Sequence, residues 1–189
     1  MKYRIFSYTK KLLLIIALGL LTFSSALYAK KILIPMDLAQ TDHLKAYGVT
    51  YWILNKGVTA DWLLNYRGGS FMMDYDDLFA AECRIRGVSF EVIDGVKASQ
   101  IYSEVQSEEV NMDVVRLEKP PKIAVYAPPG TQPWDDAVLL VLDYAEVPHD
   151  IIWDKEVLEG KLDEYDWLHL HHEDFTGQYG KFWANYQNT

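Results

Sequence analysis

The sequence predicts an α/β protein with two structured regions behind an amino-terminal export signal. Short apolar runs, typical of buried strands, alternate with segments in which apolar residues recur at helical spacing. Of the 189 residues, 50% are hydrophobic and 14% are aromatic, which is enough to fill a core. A polar stretch with the paired prolines Pro120 and Pro121 separates the two regions. We therefore expect one α/β domain over residues 30–116 and another over residues 117–189.

Composition and charge exclude several classes of protein. High hydrophobicity excludes a wholly disordered chain, and the single cysteine excludes a disulfide scaffold. The net charge of −9 argues against a nucleic-acid partner, because phosphates are neutralised by a basic surface. Cys83 lies in a predicted helix without a neighbouring histidine or nucleophile-elbow motif, so we expect a buried structural thiol.

Residues 1–29 have the order of a secretory signal peptide. A basic start without acidic residues precedes an apolar run over residues 12–21, and small residues follow up to Ala29. The alternative, a membrane anchor, needs about 20 apolar residues to cross a bilayer, which is longer than this run. We expect cleavage after Ala29, or after Ala26, and export to the periplasm or the extracellular space. Membrane contact is then expected only through the signal.

The first region alternates predicted strands and helices. The apolar run 31–35 predicts a buried strand, and residues 62–66 predict a second strand that stops at Gly68 and Gly69. Helical spacing predicts two helices, whose core-facing residues are Leu44, Tyr47, Tyr51 and Leu54 in the first and Leu78, Ala81 and Ile85 in the second. The second of these helices covers residues 74–86, and it is followed by a strand over 88–93. Residues 98–109 predict a polar helix or a frayed linker helix.

The second region predicts a parallel sheet. Residues 122–127 form a strand, and after a proline-rich loop Asp135 can cap a helix. Five apolar residues of that helix share one face, namely Ala137, Leu140, Val141, Tyr144 and Ala145. Two further strands are expected over residues 149–153 and 165–171, and elements of these lengths favour parallel pairing with a crossover helix. One helix cannot cover both faces of such a sheet, so we expect the domain to be incomplete.

The densest cluster of polar side chains follows the last predicted strand. On a strand, His169, His171 and Glu173 share one face, and His172 and Asp174 share the other. Open parallel sheets bind ligands at the carboxyl ends of their strands, so this cluster is a candidate pocket. Two imidazoles and a carboxylate could also hold zinc or iron. The alternative is a satisfied core histidine followed by polar loop residues; we expect no metal and no cofactor.

Two loops offer further candidate residues. Arg67, Gly68 and Gly69 follow a strand and could present a guanidinium and backbone N–H groups to an anion. A glycine turn with a solvated arginine is the alternative. Trp134 and Asp135 lie between a strand and a helix, where ligands also bind, or they could serve only to begin that helix.

Four segments carry a resemblance to a known family. They are residues 42–48 (DHLKAYG), 62–71 (WLLNYRGGSF), 132–136 (QPWDD) and 165–180 (YDWLHLHHEDFTGQYG). Together they resemble a family of exported bacterial proteins commonly labelled asparagine synthetase B, and the last segment is the most specific. The resemblance spans essentially the whole chain after the signal.

The resemblance implies a fold and an activity. It implies that the chain is the amino-terminal portion of a longer protein, and that residues 117–189 begin a flavodoxin-like, class I glutamine amidotransferase-like domain. The nucleophilic cysteine of that domain would lie beyond Thr189, so this chain alone is expected to be inactive. The full-length protein would be amidotransferase- or hydrolase-like, with His171, His172, Glu173 and Asp174 in its pocket.

A rival hypothesis needs no catalysis. The chain could be an exported binding module for a carbohydrate or an envelope component, with Trp134 and the histidine cluster as its contacts. Under either hypothesis the expected partner is a small molecule or a carbohydrate.

Overall fold

The computed structural model describes residues 29–132, 134 and 136–170. Contacts within the chain divide it into two compact units, and the division falls between Pro120 and Pro121. Each unit combines helices with a sheet, antiparallel in the first unit and parallel in the second. The α/β class predicted from the sequence is therefore confirmed. No helix in the described ranges is long and apolar enough to cross a membrane.

The first unit contains an antiparallel sheet and three helices over the described residues. Its elements are β1 (Lys31–Ile34), α1 (His43–Asn55), β2 (Ala60–Leu64), β3 (Phe71–Asp74), α2 (Asp77–Ile85), β4 (Glu91–Ile93), α3 (Gly95–Val105) and β5 (Asp113–Leu117). The strand order is β4-β1-β3-β2-β5. From β1 to β4 the elements follow the β-α-β-β-α-β order of the ferredoxin-like, or split βαβ, arrangement. α3 and β5 follow it, and β5 extends the sheet beside β2.

The interior strand β1 contributes to two cores, because alternate side chains of a strand point to opposite faces of the sheet. Ile32 and Ile34 pack with residues of α1 and α2 on one face. Leu33 packs with residues of α3 on the other face. Helices therefore cover both faces of this sheet.

The sequence does not predict two of these strands. β3 follows the double glycine at Gly68 and Gly69, which marks a hairpin turn between β2 and β3 where the sequence indicated only the end of a strand. β5 lies at the edge of the sheet, and its residues are exposed or only partly buried. The sequence of β5 therefore lacks the continuous apolar run that would predict a strand.

The second unit contains a parallel sheet, as predicted. Its elements are β6 (Ile123–Tyr126), α4 (Ala137–Ala145), β7 (Asp150–Ile152), α5 (Asp154–Leu158) and β8 (Trp167–Leu170). Over the described residues the strand order is β7-β6-β8, and both pairs are parallel. The register places Tyr126 beside Ile152 and Leu170, at the carboxyl ends of the three strands. We call the end of the sheet marked by these three residues the carboxyl edge.

Helices α1 to α4 form close to where the sequence predicts them, and α5 is not predicted. Most of the residues predicted to face the core in α1, α2 and α4 are instead exposed or only partly buried, although Leu54 and Ala145 are buried as predicted. In α1, Leu44 and Tyr47 are exposed, whereas Ala46, Val49 and Ile53 are fully buried. The same shift occurs in α2 and α4, whose predicted core residues are largely exposed. In α1 the fully buried side chains are small or β-branched.

An aspartate caps each of four described helices, α1 to α4. The caps are Asp42, Asp76, Asp94 and Asp136, and each carboxylate accepts a backbone N–H of the first helical turn. The prediction that Asp135 caps α4 is wrong by one residue. Asp136 is the cap because its carboxylate is the one that reaches the N–H groups of Val138 and Leu139.

Candidate functional site

A buried carboxylate lies at the start of α4, in the connection that follows β6. Asp136 is only 3% exposed. Its Oδ1 atom accepts the backbone N–H groups of Val138 at 2.6 Å and Leu139 at 3.1 Å. Because a helix amino terminus carries partial positive charge, this position favours the ionised carboxylate.

His169 approaches the same carboxylate from β8. Its Nε2 atom lies 3.3 Å from Oδ2 of Asp136, and the imidazole side chain is 22% exposed. In the sheet His169 lies beside Val125 of β6, one residue before the carboxyl edge. The fold thus places a partly exposed imidazole and a buried carboxylate together next to this edge.

This pair is the feature that the sequence reasoning missed. The sequence predicts Asp135 rather than Asp136 at the start of this helix, and it indicates a metal candidate or a core histidine at His169. The two residues are 33 positions apart, and they meet because β6 and β8 are neighbours in the sheet. The available signal was the prediction that β6 and β8 belong to one parallel sheet, which brings the residues after β6 near the end of β8.

Aromatic side chains lie near the same edge. Trp134 is 71% exposed and precedes Asp136 by two positions. The rings of Tyr126 and Trp153 stack, with 4.5 Å between their centroids, at the ends of β6 and β7. The Tyr126 hydroxyl donates a hydrogen bond to Asp154 at the start of α5. The carboxyl edge therefore combines polar groups with flat apolar surface, a combination common in small-molecule sites.

Most of the predicted histidine cluster cannot be placed. His171, His172, Glu173 and Asp174 lie outside the described residues, as does Asp135. Of the three metal candidates, only His169 is described. Within residues 29–132, 134 and 136–170, no three His, Cys, Asp or Glu side chains are close enough to share a metal ion.

Arg67 lies in the first unit, in the turn between β2 and β3. Its Nε atom donates to Asp37 at 2.7 Å and its Nη1 atom donates to Glu91 at 2.6 Å. These hydrogen bonds raise the pKa of the Arg67 guanidinium, and the bond from Arg67 lowers the pKa of the Asp37 carboxyl. Arg67 therefore joins its turn to the loop after β1 and to the first residue of β4.

The two glycines beside Arg67 are also engaged within the first unit. A Cβ atom on Gly68 would lie 2.2 Å from the carbonyl oxygen of Met36, and one on Gly69 would lie 3.2 Å from the Trp62 indole nitrogen. The N–H groups of Gly69 and Ser70 both donate to the Tyr66 carbonyl. Both glycines are therefore held in the turn by contacts within the first unit.

Cys83 lies in α2 and is completely buried. Burial raises the pKa of its thiol to about 11. A buried thiol with a raised pKa is a poor nucleophile, in agreement with the structural role expected from the sequence.

Comparisons with known proteins identify no related protein. No family model matches the chain, and neither the curated proteins nor the solved structures contain a significant match.

Proposed function

We propose that the chain belongs to the exported family labelled asparagine synthetase B, and that its second unit is a flavodoxin-like, amidotransferase-like domain. In this proposal the carboxyl edge binds a small molecule with an amide or related bond. The observation that carries it is the His169–Asp136 pair beside the edge of a parallel sheet.

The strand order supports the assignment of the domain. Flavodoxin-like sheets have the order 2-1-3-4-5 and bind their ligand beside the first and third strands. β7-β6-β8 corresponds to the order 2-1-3. Asp136 follows the first of these strands and His169 belongs to the third, so the pair occupies the position where such folds bind.

The residues of this chain are suited to ligand binding and proton transfer rather than to nucleophilic attack. The one cysteine of the sequence, Cys83, is completely buried, so its thiol is not accessible to a ligand. The sequence also has no Ser-Gly-Gly-x-Asp-Ser loop for ATP, so the proposal does not include asparagine synthesis. We therefore assign ligand binding to this chain.

A binding experiment tests the proposal. The full chain, purified after export, is titrated with L-glutamine and L-asparagine by calorimetry, and ammonia release is followed in parallel. We expect saturable binding of at least one amide that is lost in His169→Ala and kept in His149→Ala. His149 is the matched control because its imidazole contacts Val147 and Asp143, near the start of β7. Absence of binding, or equal binding by both variants, would contradict the proposal.

The exposure of Trp134 favours one alternative, an exported binding module for a carbohydrate or an envelope component. An indole that is 71% exposed can stack on a sugar ring. In this case cello- or chito-oligosaccharides should bind, and Trp134→Ala should abolish binding. Trp167→Ala is the control, since Trp167 is also exposed but lies at the opposite end of β8.

A further inference from the structure

We propose that Asp136 fixes His169 in one tautomer, and that Nδ1 of His169 is the hydrogen-bond acceptor with which the carboxyl edge holds its ligand. The inference rests on the proposed function, because it assumes a ligand at this edge. It adds the recognising atom and the ligand class, a neutral molecule that donates through N–H or O–H. A primary amide and a sugar hydroxyl share this chemistry.

The tautomer follows from the partners of Asp136. An ionised carboxylate only accepts hydrogen bonds, and the two backbone N–H groups on Oδ1 favour the ionised form. The imidazole nitrogen that faces Oδ2 must therefore donate, and that nitrogen is Nε2. A neutral imidazole carries one N–H, so Nδ1 has a free lone pair.

The other ring nitrogen of His169 is open to a ligand. Among the residues that the structure describes, His169 has a single hydrogen-bond partner, Asp136, and its side chain is 22% exposed. His149 differs in the surroundings of its second nitrogen: one ring nitrogen is hydrogen-bonded to the Val147 carbonyl at 3.0 Å, and the other lies 3.8 Å from a carboxylate oxygen of Asp143, an ion-pair distance rather than a hydrogen bond. Among the described residues, Nδ1 of His169 has neither a hydrogen bond nor an ion pair.

The surroundings select the ligand class. A lone pair backed by an ionised carboxylate attracts a donor and repels an anion. The net charge of −9 acts in the same direction. In this proposal the exposed indole of Trp134, two positions before Asp136 in the sequence, supplies the apolar face for the flat part of the ligand.

The tautomer can be tested without any ligand. Long-range ¹H–¹⁵N NMR spectra of the full chain at pH 7.5 should give His169 the Nε2–H pattern, with the signals assigned by their loss in His169→Gln. In Asp136→Asn the helix cap is kept, because asparagine caps helices as well as aspartate. Its amide then donates to Nε2, and the proton of the ring should move to Nδ1. An Nδ1–H or doubly protonated ring in the wild type, or an unchanged pattern in Asp136→Asn, would overturn the inference.

The role of Nδ1 is tested by binding of L-glutamine and chitobiose. His169→Gln can keep the donor toward Asp136 through its Nε2 amide group, while its one acceptor, Oε1, branches from Cδ and does not coincide with the position of Nδ1. We expect its affinity for the bound probe to fall about tenfold, the loss of one hydrogen bond, at an unchanged urea midpoint. His149→Gln should keep wild-type affinity. Unaltered binding by His169→Gln would overturn the inference. If the wild type binds neither probe, both the proposed function and the proposed ligand class are wrong. The tautomer of His169 is still decided by the NMR measurement, which needs no ligand.

Discussion

A Cβ atom on Gly68 would lie 2.2 Å from the carbonyl oxygen of Met36, so the turn between β2 and β3 packs directly against the backbone that follows β1. Gly68 also has a φ of +82°, a conformation that L-residues rarely adopt. Space and backbone geometry therefore restrict this position to glycine.

Replacement of Gly68 should destabilise the first unit strongly. We expect Gly68→Ala to lower the free energy of unfolding by about 3 kcal/mol, through the left-handed conformation and the displaced backbone together. Gly57→Ala is the matched control, because Gly57 has a φ of +76° but no atom within 4 Å of its Cβ position. It should cost about 1 kcal/mol, the conformational part alone. If Gly68→Ala and Gly57→Ala lower the free energy of unfolding in urea equally, the close approach to Met36 contributes nothing to the cost at Gly68.

The buried side chain of Gln40 joins the loop after β1 to the loop before β4. Its Nε2 atom donates to the carbonyls of Pro35 at 2.8 Å and Ser89 at 3.1 Å, and its Oε1 atom accepts the Ser89 N–H at 2.9 Å. Gln40→Leu should lower stability by about 2–3 kcal/mol, because it removes these partners from the buried Pro35 carbonyl and from the partly buried backbone groups of Ser89. Gln132→Leu, on an exposed loop, should change the urea midpoint little. A tolerated Gln40→Leu would contradict this account.

The ion pair between Arg67 and Asp37 should give an acid-sensitive contribution to stability. The bond from Arg67 lowers the pKa of Asp37 in the folded protein below its ordinary value of 3.8. A lowered folded pKa means that the contribution is complete above the unfolded pKa and is lost as pH falls toward the folded value. Wild type should therefore exceed Asp37→Asn in stability at pH 6, and the difference should shrink below about pH 4. A stability difference between wild type and Asp37→Asn that is constant from pH 6 to pH 3 would contradict this prediction. Glu108→Gln, which removes an exposed carboxylate, is the control variant.

The thiol of Cys83 should react only when the protein opens. Its pKa of about 11 and its complete burial both suppress the thiolate at neutral pH. We expect no labelling by Ellman's reagent at pH 8 in native buffer and one thiol per chain in urea. Labelling in native buffer at the rate of a free thiol would contradict the burial of α2 against the sheet.

How much of the protein the sequence predicts depends on where each residue's partners are. The run at β1 and, in the second unit, α4 and the three described strands were predictable, because apolar residues there follow the period of the element itself. β5 was not, because an edge strand is stabilised by its pairing with β2 and needs little apolar surface of its own.

The inward faces of the helices and the His169–Asp136 pair depend on contacts between distant segments. Leu44 and Tyr47 fit a helical stripe as well as Ala46 and Val49 do, and only the sheet beneath α1 decides which set is buried. Likewise, spacing along the sequence groups His169 with His171 and Glu173, whereas its partner in the structure, Asp136, is 33 positions away.

The alternation of Ile32 and Leu33 along β1 has a consequence for how the first unit unfolds. These neighbouring residues belong to cores on opposite faces of the sheet, so neither core can open without the strand that the other requires. The unit should behave as a single cooperative block, in which the amide hydrogens of β1 exchange with solvent only through global unfolding.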